Sequence, residues 1–373
     1  MTRPLRATFD LSALRHNYTV ARESAGTAHC WAVVKANAYG HGLLRCARAL
    51  AHEPAADGFA LVELEGAIAL REAGIRQPIL LLEGFYQADE LPLFAEYRLT
   101  PVLHSRAQIQ ALIDARLPVR LPVYLKLNTG MNRLGLEVDE LAGALNALKS
   151  SNQTAGITLM SHFSDADAEG SDEEQEAIAG QMSRLARFVT ASSPSSPDSV
   201  STLSLANSAA LLRYPQARAD WARPGIMLYG ASPYPQRKTA MALGLRPVMT
   251  LGSELIAVRT LAAGERVGYN GQFVADRPMR IGVVACGYAD GYPRHAPTGT
   301  PVLVTGQRTR TLGRVSMDKL CVDLSELPQA AVGSPVTLWG EGLPADEVAQ
   351  AAQTISYELF CALGNRVAVV EKN

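Results

Sequence analysis

Two short segments of this sequence combine residue types that could do chemistry together. The first is Val33-Val34-Lys35-Ala36-Asn37-Ala38-Tyr39-Gly40-His41-Gly42. Lys35 closes an apolar run, and a lysine in that position either reaches for solvent or works. An amine partly desolvated by a protein interior has a lowered pKa and can form a Schiff base with a carbonyl. Gly40 and Gly42 let the backbone and Tyr39 close around a ligand. The second segment comprises Asn207-Ser208 and Ala222-Arg223-Pro224-Gly225-Ile226. The Ser208 hydroxyl and the free N–H groups of Gly225 and Ile226 suit a phosphate, whereas Pro224 has no N–H to offer. A lysine facing a phosphate cup predicts pyridoxal 5'-phosphate, a cofactor with an aldehyde at one end and a phosphate at the other.

The elements that must bring these segments together follow from periodicity. Between residues 28 and 230, short apolar runs alternate with helix-period stretches. The predicted strands are Cys30–Lys35, Gly58–Val62, Pro78–Leu82, Thr100–Leu103, Pro122–Leu127, Gly156–Ser161, Thr202–Leu205 and Trp221–Tyr229. Predicted helices between them include Glu63–Ala73, closed by Gly74, then Ser105–Ala115, Asp139–Lys149 and Asp172–Thr190. The last opens on Asp172, Glu173, Glu174 and Glu176, acids that suit the positive end of a helix dipole. Eight strands with helices between them predict an α/β fold of (β/α)8 TIM-like barrel type. The Pro/Ser-rich stretch 191–201 then reads as a surface loop within the barrel. In such barrels functional residues sit at the C-terminal ends of strands, and phosphate sites form after strands seven and eight. Lys35 and the Ser208–Ile226 segments fall at those positions.

Beyond residue 232 the rhythm changes. Pro233, Pro235, Arg237 and Lys238 form a junction, followed by period-2 strands at Glu254–Thr260, Met279–Cys286, Pro301–Thr305, Arg308–Leu312 and Lys319–Leu324. Thr305-Gly306-Gln307 is a hairpin signal. A single helix is expected over Asp346–Leu363, stopping at Gly364. The division expected is therefore a barrel over residues 8–232 and a mostly β C-terminal domain over 233–373, with residues 1–7 pairing with the latter.

Bulk properties exclude several classes. Lys and Arg number 35 against 36 Asp and Glu, with no basic stripe, which argues against nucleic-acid binding. No signal-peptide core and no run of ~20 apolar residues is present, which argues against a membrane partner. Five cysteines without CxxC spacing argue against a zinc site or a disulfide framework, and the expectation is a reduced, cytoplasmic protein.

The residues then carry a resemblance. Val34-Lys-Ala-Asn-Ala-Tyr-Gly-His-Gly42 resembles the cofactor-lysine signature of the alanine racemase family, and Lys126-Leu-Asn-Thr-Gly-Met-Asn-Arg-Leu-Gly135 its second motif. Ser161-His-Phe163, Asn207-Ser208, Arg223-Pro-Gly225, Gly268-Tyr-Asn270, Gly287-Tyr-Ala-Asp-Gly291 and Ser316-Met-Asp318 follow in the family's order. The resemblance spans essentially the whole chain. It implies pyridoxal-phosphate-dependent racemisation of alanine, within a homodimer that shares its active sites.

Racemisation needs a base on each face of Cα. The resemblance implies Lys35, which also holds the cofactor, and Tyr269 contributed by the partner subunit, with His162 and Arg223 as cations able to lower a phenol's pKa. Arg223 would lie beside the cofactor's pyridine nitrogen, where an arginine cannot accept a proton and disfavours a pyridinium. Side reactions such as transamination are thereby limited. Tyr39, Ser208, Gly225, Ile226 and Tyr357 would bind the phosphate. Arg133 would engage the substrate carboxylate or the cofactor's phenolic oxygen. Lys126 matches a position that carries a carbamate in many relatives, an unmodified lysine being the other reading; Asn128 stands where the family often has Asp. Met317 and Asp318 would border the substrate from the partner subunit, with Tyr288 narrowing the entrance and Asp167, Arg294 and Arg314 lining the approach. The alternatives are a broad-specificity racemase or a decarboxylase on the same fold, and a non-catalytic carrier of the cofactor. No decarboxylase motif surrounds Cys286 or Cys321, and a carrier leaves the C-terminal third unexplained.

Overall fold

The computed structural model describes residues 3–52, 55–168, 172–191 and 202–372. After a first strand that joins a different sheet, β1 (Arg6–Asp10), eight strands close a parallel barrel. They are β2 (His29–Val33), β3 (Gly58–Leu61), β4 (Ile79–Leu81), β5 (Leu99–Leu103), β6 (Leu121–Lys126), β7 (Thr154–Met160), β8 (Leu203–Ser204) and β9 (Trp221–Ala222). Every residue of β3, β4 and β5 is buried, as strands covered on both faces require. The barrel closes where β9 pairs with β2, at His29 opposite Trp221 and Cys30 opposite Ala222. Trp31 stacks on Trp221 at 4.4 Å and donates its indole N–H to the Tyr124 hydroxyl at 3.0 Å, so the interior is packed rather than open.

Two strand boundaries differ from the sequence expectation, and both differences shape the site. The eighth strand ends at Ala222, not Tyr229, because Pro224 cannot donate to a ladder; Ile226–Tyr229 instead form a single 3-10 turn. Lys35 does not close the first strand. β2 stops at Val33, and the chain enters a left-handed turn in which Ala36, Asn37, Ala38 and Tyr39 have φ of 51°, 54°, 55° and 51°. Each such conformation costs an L-residue ~1–2 kcal/mol, so packing must hold the turn in place. Tyr39 is buried and stacks on Tyr229 at 4.8 Å, and the His41 Nδ1–H donates to the Tyr39 carbonyl at 2.8 Å. Gly40 follows with φ 75°, so close to the helix Ser356–Cys361 that an added Cβ would lie 2.0 Å from the Phe360 carbonyl oxygen.

The expected helices occur at Leu64–Glu72, Arg106–Asp114, Val138–Ser150 and Asp172–Ala191. The side chains of Asp172, Glu173 and Glu174, and the stretch 192–201, lie outside the described residues.

The remaining strands are β10 (Met249–Leu261), β11 (Arg266–Val267), β12 (Phe273–Val274), β13 (Met279–Val284), β14 (Pro301–Val304), β15 (Gln307–Leu312), β16 (Leu320–Asp323), β17 (Pro335–Trp339) and β18 (Ala368–Lys372). Eight strands form one sheet in the order β13-β16-β15-β14-β17-β10-β1-β18, and β11 pairs with β12 alone. Thr305 and Gly306, with φ of 52° and 77°, make the two-residue turn between β14 and β15. β1 runs antiparallel to β10 and parallel to β18. Thr8–Asp10, assigned from sequence to the barrel segment, are thus strand residues of this sheet, because the ladder from Arg6 continues through Asp10.

The single helix expected over Asp346–Leu363 is two, Ala345–Ala351 and Ser356–Cys361, separated at Gln353 with φ 57°. A continuous helix would set Ser356 about 15 Å along the axis from Asp346. The break instead lets the Ser356 hydroxyl donate to the buried Asp346 carboxylate, which also accepts the Ser232 N–H at 3.0 Å.

Candidate active site

A cavity of about 260 Å3 opens at the C-terminal ends of the barrel strands. Lys35 and Tyr39 reach it from the left-handed turn after β2, and Lys126 from the end of β6. Arg133 and His162 enter from the loops after β6 and β7. Ser208, Arg223, Gly225 and Ile226 enter from the segments after β8 and β9, and Tyr357 from the helix Ser356–Cys361. Asp167 lies at the rim and is exposed.

Arg223 organises one wall. Its guanidinium is almost fully buried and donates to the Ser204 hydroxyl at 2.7 Å and to the Ser161 and Leu205 carbonyls at 2.6 and 3.0 Å. Burial pushes its pKa down to about 10, leaving a cation at neutral pH. The fourth neighbour is His162 Nδ1 at 3.3 Å. Arginine only donates, so Nδ1 is an acceptor and the ring's proton sits on Nε2. Burial, then Arg223, holds the His162 pKa well below its ordinary value, so the ring is neutral. It cannot serve as the second cation the sequence offered for lowering a phenol's pKa.

The lysines respond to the same field. Burial, and then Arg133, lowers the Lys35 pKa. Burial, followed by Arg223 and Arg133, pushes Lys126 down to about 8. Four cationic side chains (Lys35, Lys126, Arg133 and Arg223) meet two carboxylates, Glu83 and Asp167, around one cavity. Such an excess favours anionic ligands.

Another part of the lining, Tyr39, Ser208 and Gly225, gathers hydroxyl and N–H groups of the kind an oxyanion needs. The Gly225 N–H donates to Ser208 Oγ at 2.8 Å. A Cβ on Gly225 would lie 2.5 Å from the Tyr39 hydroxyl, so only glycine lets that hydroxyl approach the backbone. Tyr357 faces Tyr39 at 5.9 Å between ring centroids. Burial raises the pKa of both phenols, which therefore stay protonated and able to donate.

Arg133 owes its position to a residue the sequence singled out only as a departure. The Asn128 side chain accepts the Gly130 and Asn132 N–H groups at 3.1 and 3.0 Å and donates to Glu137 at 2.7 Å, fixing the loop that leads to Arg133. Glu83 was missed altogether. It follows β4 and is fixed by Gly84 (φ 73°), where a Cβ would meet the Val102 carbonyl oxygen at 2.2 Å. Its carboxylate accepts the Tyr86 hydroxyl at 2.6 Å. Gly84, three residues past the end of a barrel strand, was the available signal.

Six of the predicted residues are absent from the cavity's lining. Tyr269, Met317 and Tyr288 are exposed on the C-terminal sheet and its loops, Tyr269 at 68 % of its full surface. Asp318 pairs with Arg366 at 2.7 Å, and Arg294 and Arg314 also lie apart from the cavity. Among the described residues no cluster of three His, Cys, Asp or Glu side chains could hold a metal ion.

Known proteins share this fold. A family model described as the alanine racemase N-terminal domain matches residues 9–233, and one described as the C-terminal domain matches residues 248–371. The chain is 56% identical over 367 residues to an alanine racemase of Nitrosomonas eutropha, covering 98% of each. Its fold superposes on the biosynthetic alanine racemase of Pseudomonas aeruginosa with a TM-score of 0.92 at 46% identity, covering all of both chains. It superposes on a Bartonella henselae alanine racemase with covalently bound pyridoxal phosphate at a TM-score of 0.85 and 28% identity, covering 99% of each. With a lysine, an arginine-backed histidine and a glycine-lined anion corner at the strand ends that these matches span, the chain belongs to the alanine racemase family.

Proposed function

We propose that this protein interconverts L- and D-alanine using pyridoxal 5'-phosphate. The observation that carries the reading is the partly desolvated Lys35 amine set in the same cavity as the Ser208–Gly225–Tyr39 corner. The residues fit the cofactor: Lys35 would hold its aldehyde carbon, while Tyr39, Ser208, Gly225, Ile226 and Tyr357 would hold its phosphate. Bound there, the cofactor supplies an electron sink that acidifies the substrate's Cα–H.

Lys35 Nζ takes or returns a proton on one face of Cα. Tyr269 of the partner subunit serves the opposite face through its hydroxyl, an assignment supported by its exposure and its absence from its own subunit's cavity. The working unit is then a homodimer, each chain with a barrel segment ending at residue 232 and a β segment beginning at residue 233. With the cofactor bound, Arg223, a buried donor that cannot accept a proton, would face its pyridine nitrogen and disfavour protonation there. Arg133 binds the substrate carboxylate. Lys126, whose pKa burial, Arg223 and Arg133 bring down to about 8, gains a share of neutral amine and is suited to carry a carbamate that would orient Arg133. The partner's Met317 and the partner's Asp318 border the substrate, and Tyr288, Asp167, Arg294 and Arg314 form the approach. All five cysteines are unpaired, which supports a reducing, cytoplasmic setting. Among the described residues no helix is long and apolar enough to cross a membrane.

The test is an absorbance spectrum of the purified protein and chiral analysis after incubation with L-alanine, L-serine and L-lysine. Visible absorbance near ~420 nm, typical of a Schiff-base-bound cofactor, with D-alanine dominant, is expected, and Lys35→Ala should lose both. Comparable D-serine or D-lysine yields would move the reading to a broad-specificity racemase. Absorbance without any D-product would move it to a cofactor carrier.

A further inference from the structure

Outside the cavity, the most completely satisfied buried charge in the C-terminal half is Asp290, in the Gly287–Gly291 turn. Its side chain has no accessible surface. Oδ1 accepts Arg3 Nη1 at 2.5 Å and Arg366 Nε at 2.7 Å; Oδ2 accepts Arg3 Nη2 at 2.9 Å and the Gly287 N–H at 2.8 Å. Four donors fill a carboxylate's acceptor capacity. The two arginines precede β1 and β18, and those strands pair in parallel with Arg6 opposite Ala368. That register delivers both guanidinium groups to one carboxylate.

The same guanidinium groups reach past Asp290. Arg3 Nη2 donates to the Asp318 carbonyl at 2.8 Å, and Arg366 Nη2 donates to the Asp318 carboxylate at 2.7 Å and the Met317 carbonyl at 3.3 Å. The turn itself grips the loop: the Tyr288 and Ala289 N–H groups each donate at 3.0 Å, to the Ser316 and Met317 carbonyls. A Cβ on Gly287 would fall 2.3 Å from the Ser316 carbonyl oxygen. On its other side the turn abuts the end of the Tyr357 helix. The Gly364 N–H donates to the Asp290 carbonyl at 3.0 Å, and a Cβ on Gly291 would meet the Ala362 carbonyl oxygen at 2.4 Å.

We propose that Asp290 is a positioning residue: through Arg3 and Arg366 it fixes the Met317–Asp318 loop against the Tyr357 helix, setting how that loop meets substrate in the partner's site. The inference rests on the racemase reading, in which this loop borders the substrate. Neither arginine is in the proposed catalytic machinery, and both are partly exposed, with side chains 31% and 43% accessible.

The test uses Arg366→Lys and Arg3→Lys in the dimeric holoenzyme. Lysine keeps a cation near Asp290 but has no planar fork, so it cannot bridge Asp290 and Asp318 together. Two readouts are taken: KM and kcat for alanine in both directions, and amide hydrogen exchange at Tyr288 and Ala289. Expected are a KM raised roughly threefold to tenfold, the scale of one ordinary hydrogen bond's net contribution, with kcat within twofold, and exchange at the two amides at least about fivefold faster. Unchanged exchange overturns the clamp. Faster exchange with unchanged KM overturns its link to substrate. Equal losses in kcat and KM for both variants, with a large fall in Tm, assign Asp290 to general stability and overturn the proposal. If the wild-type protein forms no D-alanine, the racemase reading fails, and the link to substrate falls with it.

Discussion

Replacing Gly225 by alanine tests the phosphate corner directly. The new Cβ would lie 2.5 Å from the Tyr39 hydroxyl and 3.3 Å from Cζ, about an ångström too close for the first. Tyr39 has little room to retreat. Its ring is stacked at 4.8 Å on Tyr229, whose own hydroxyl donates to the Val33 carbonyl at 2.9 Å, and its backbone is committed to φ 51°. Overpacking of this kind costs about 1–3 kcal/mol. Displacing a hydroxyl that donates to a phosphate forfeits about 1.5–3 kcal/mol, or roughly tenfold to 150-fold in cofactor affinity. The assay is an absorbance titration of pyridoxal phosphate into cofactor-stripped protein, alongside thermal denaturation. A Tyr39→Phe/Gly225→Ala double variant completes a cycle. Removing the hydroxyl makes room for the methyl, so stability should recover while affinity stays weak. If Gly225→Ala binds the cofactor within threefold of wild type, the hydroxyl is not a phosphate ligand. If the double variant recovers no stability, the clash is not between these two groups.

Three further outcomes follow from the site. Tyr269→Phe should retain the visible cofactor absorbance yet lose at least about a hundredfold in racemisation, the scale of one acid–base group; near wild-type turnover would remove Tyr269 from the reaction. Carbon dioxide adds only to a neutral amine, so 13C-labelled bicarbonate should give a carbamate NMR signal that grows as pH rises through about 8, the Lys126 value, and that Lys126→Gln abolishes; persistence of the signal in that variant would place it elsewhere. Burial pushes His41 down to about 3. Its contribution to stability is complete above the ordinary value of ~6.5 and is lost as pH falls toward 3, by at most about 1.4 kcal/mol per pH unit. Urea unfolding at pH 6.5 and 5.0 should therefore show a shallower acid loss in His41→Leu than in wild type, and equal slopes would contradict the buried, neutral ring.

The barrel was legible because its strands are apolar runs separated by helix-period segments, and buried parallel strands can hardly look otherwise. That Lys35, Ser208, Arg223 and Gly225 line one cavity was legible because small and cationic residues recur at strand ends. What escaped was set by non-local geometry. The turn at Lys35 looks like a strand end in sequence, since no local signal marks four L-residues at positive φ; Tyr229 and Phe360 hold it from far along the chain, against Tyr39 and His41. The expected helix over Asp346–Leu363 broke because a buried carboxylate captures Ser356. Glu83 reads as an ordinary solvated glutamate until β4 is seen to end at the cavity. Pro224 was itself a warning that the eighth strand would be short.

The pairing of β1 with β10 and β18 sets an order of events during synthesis. Arg6–Asp10 leave the ribosome before any of the barrel, yet their partners Met249–Gly252 emerge some 240 residues later. At ~5–20 residues per second the first strand waits roughly 10–50 s for one neighbour. Its other neighbour, Ala368–Lys372, arrives among the final residues of the chain. The barrel has all eight of its strands by Ala222 and can close in that interval. Helix Leu11–Ala25, immediately after β1, then docks against Ile226–Tyr229 through Asn17, whose amide donates to the Leu228 carbonyl at 3.0 Å. The nascent chain thus stores its opening strand on the flank of a finished barrel, and the second sheet is completed around a segment made first.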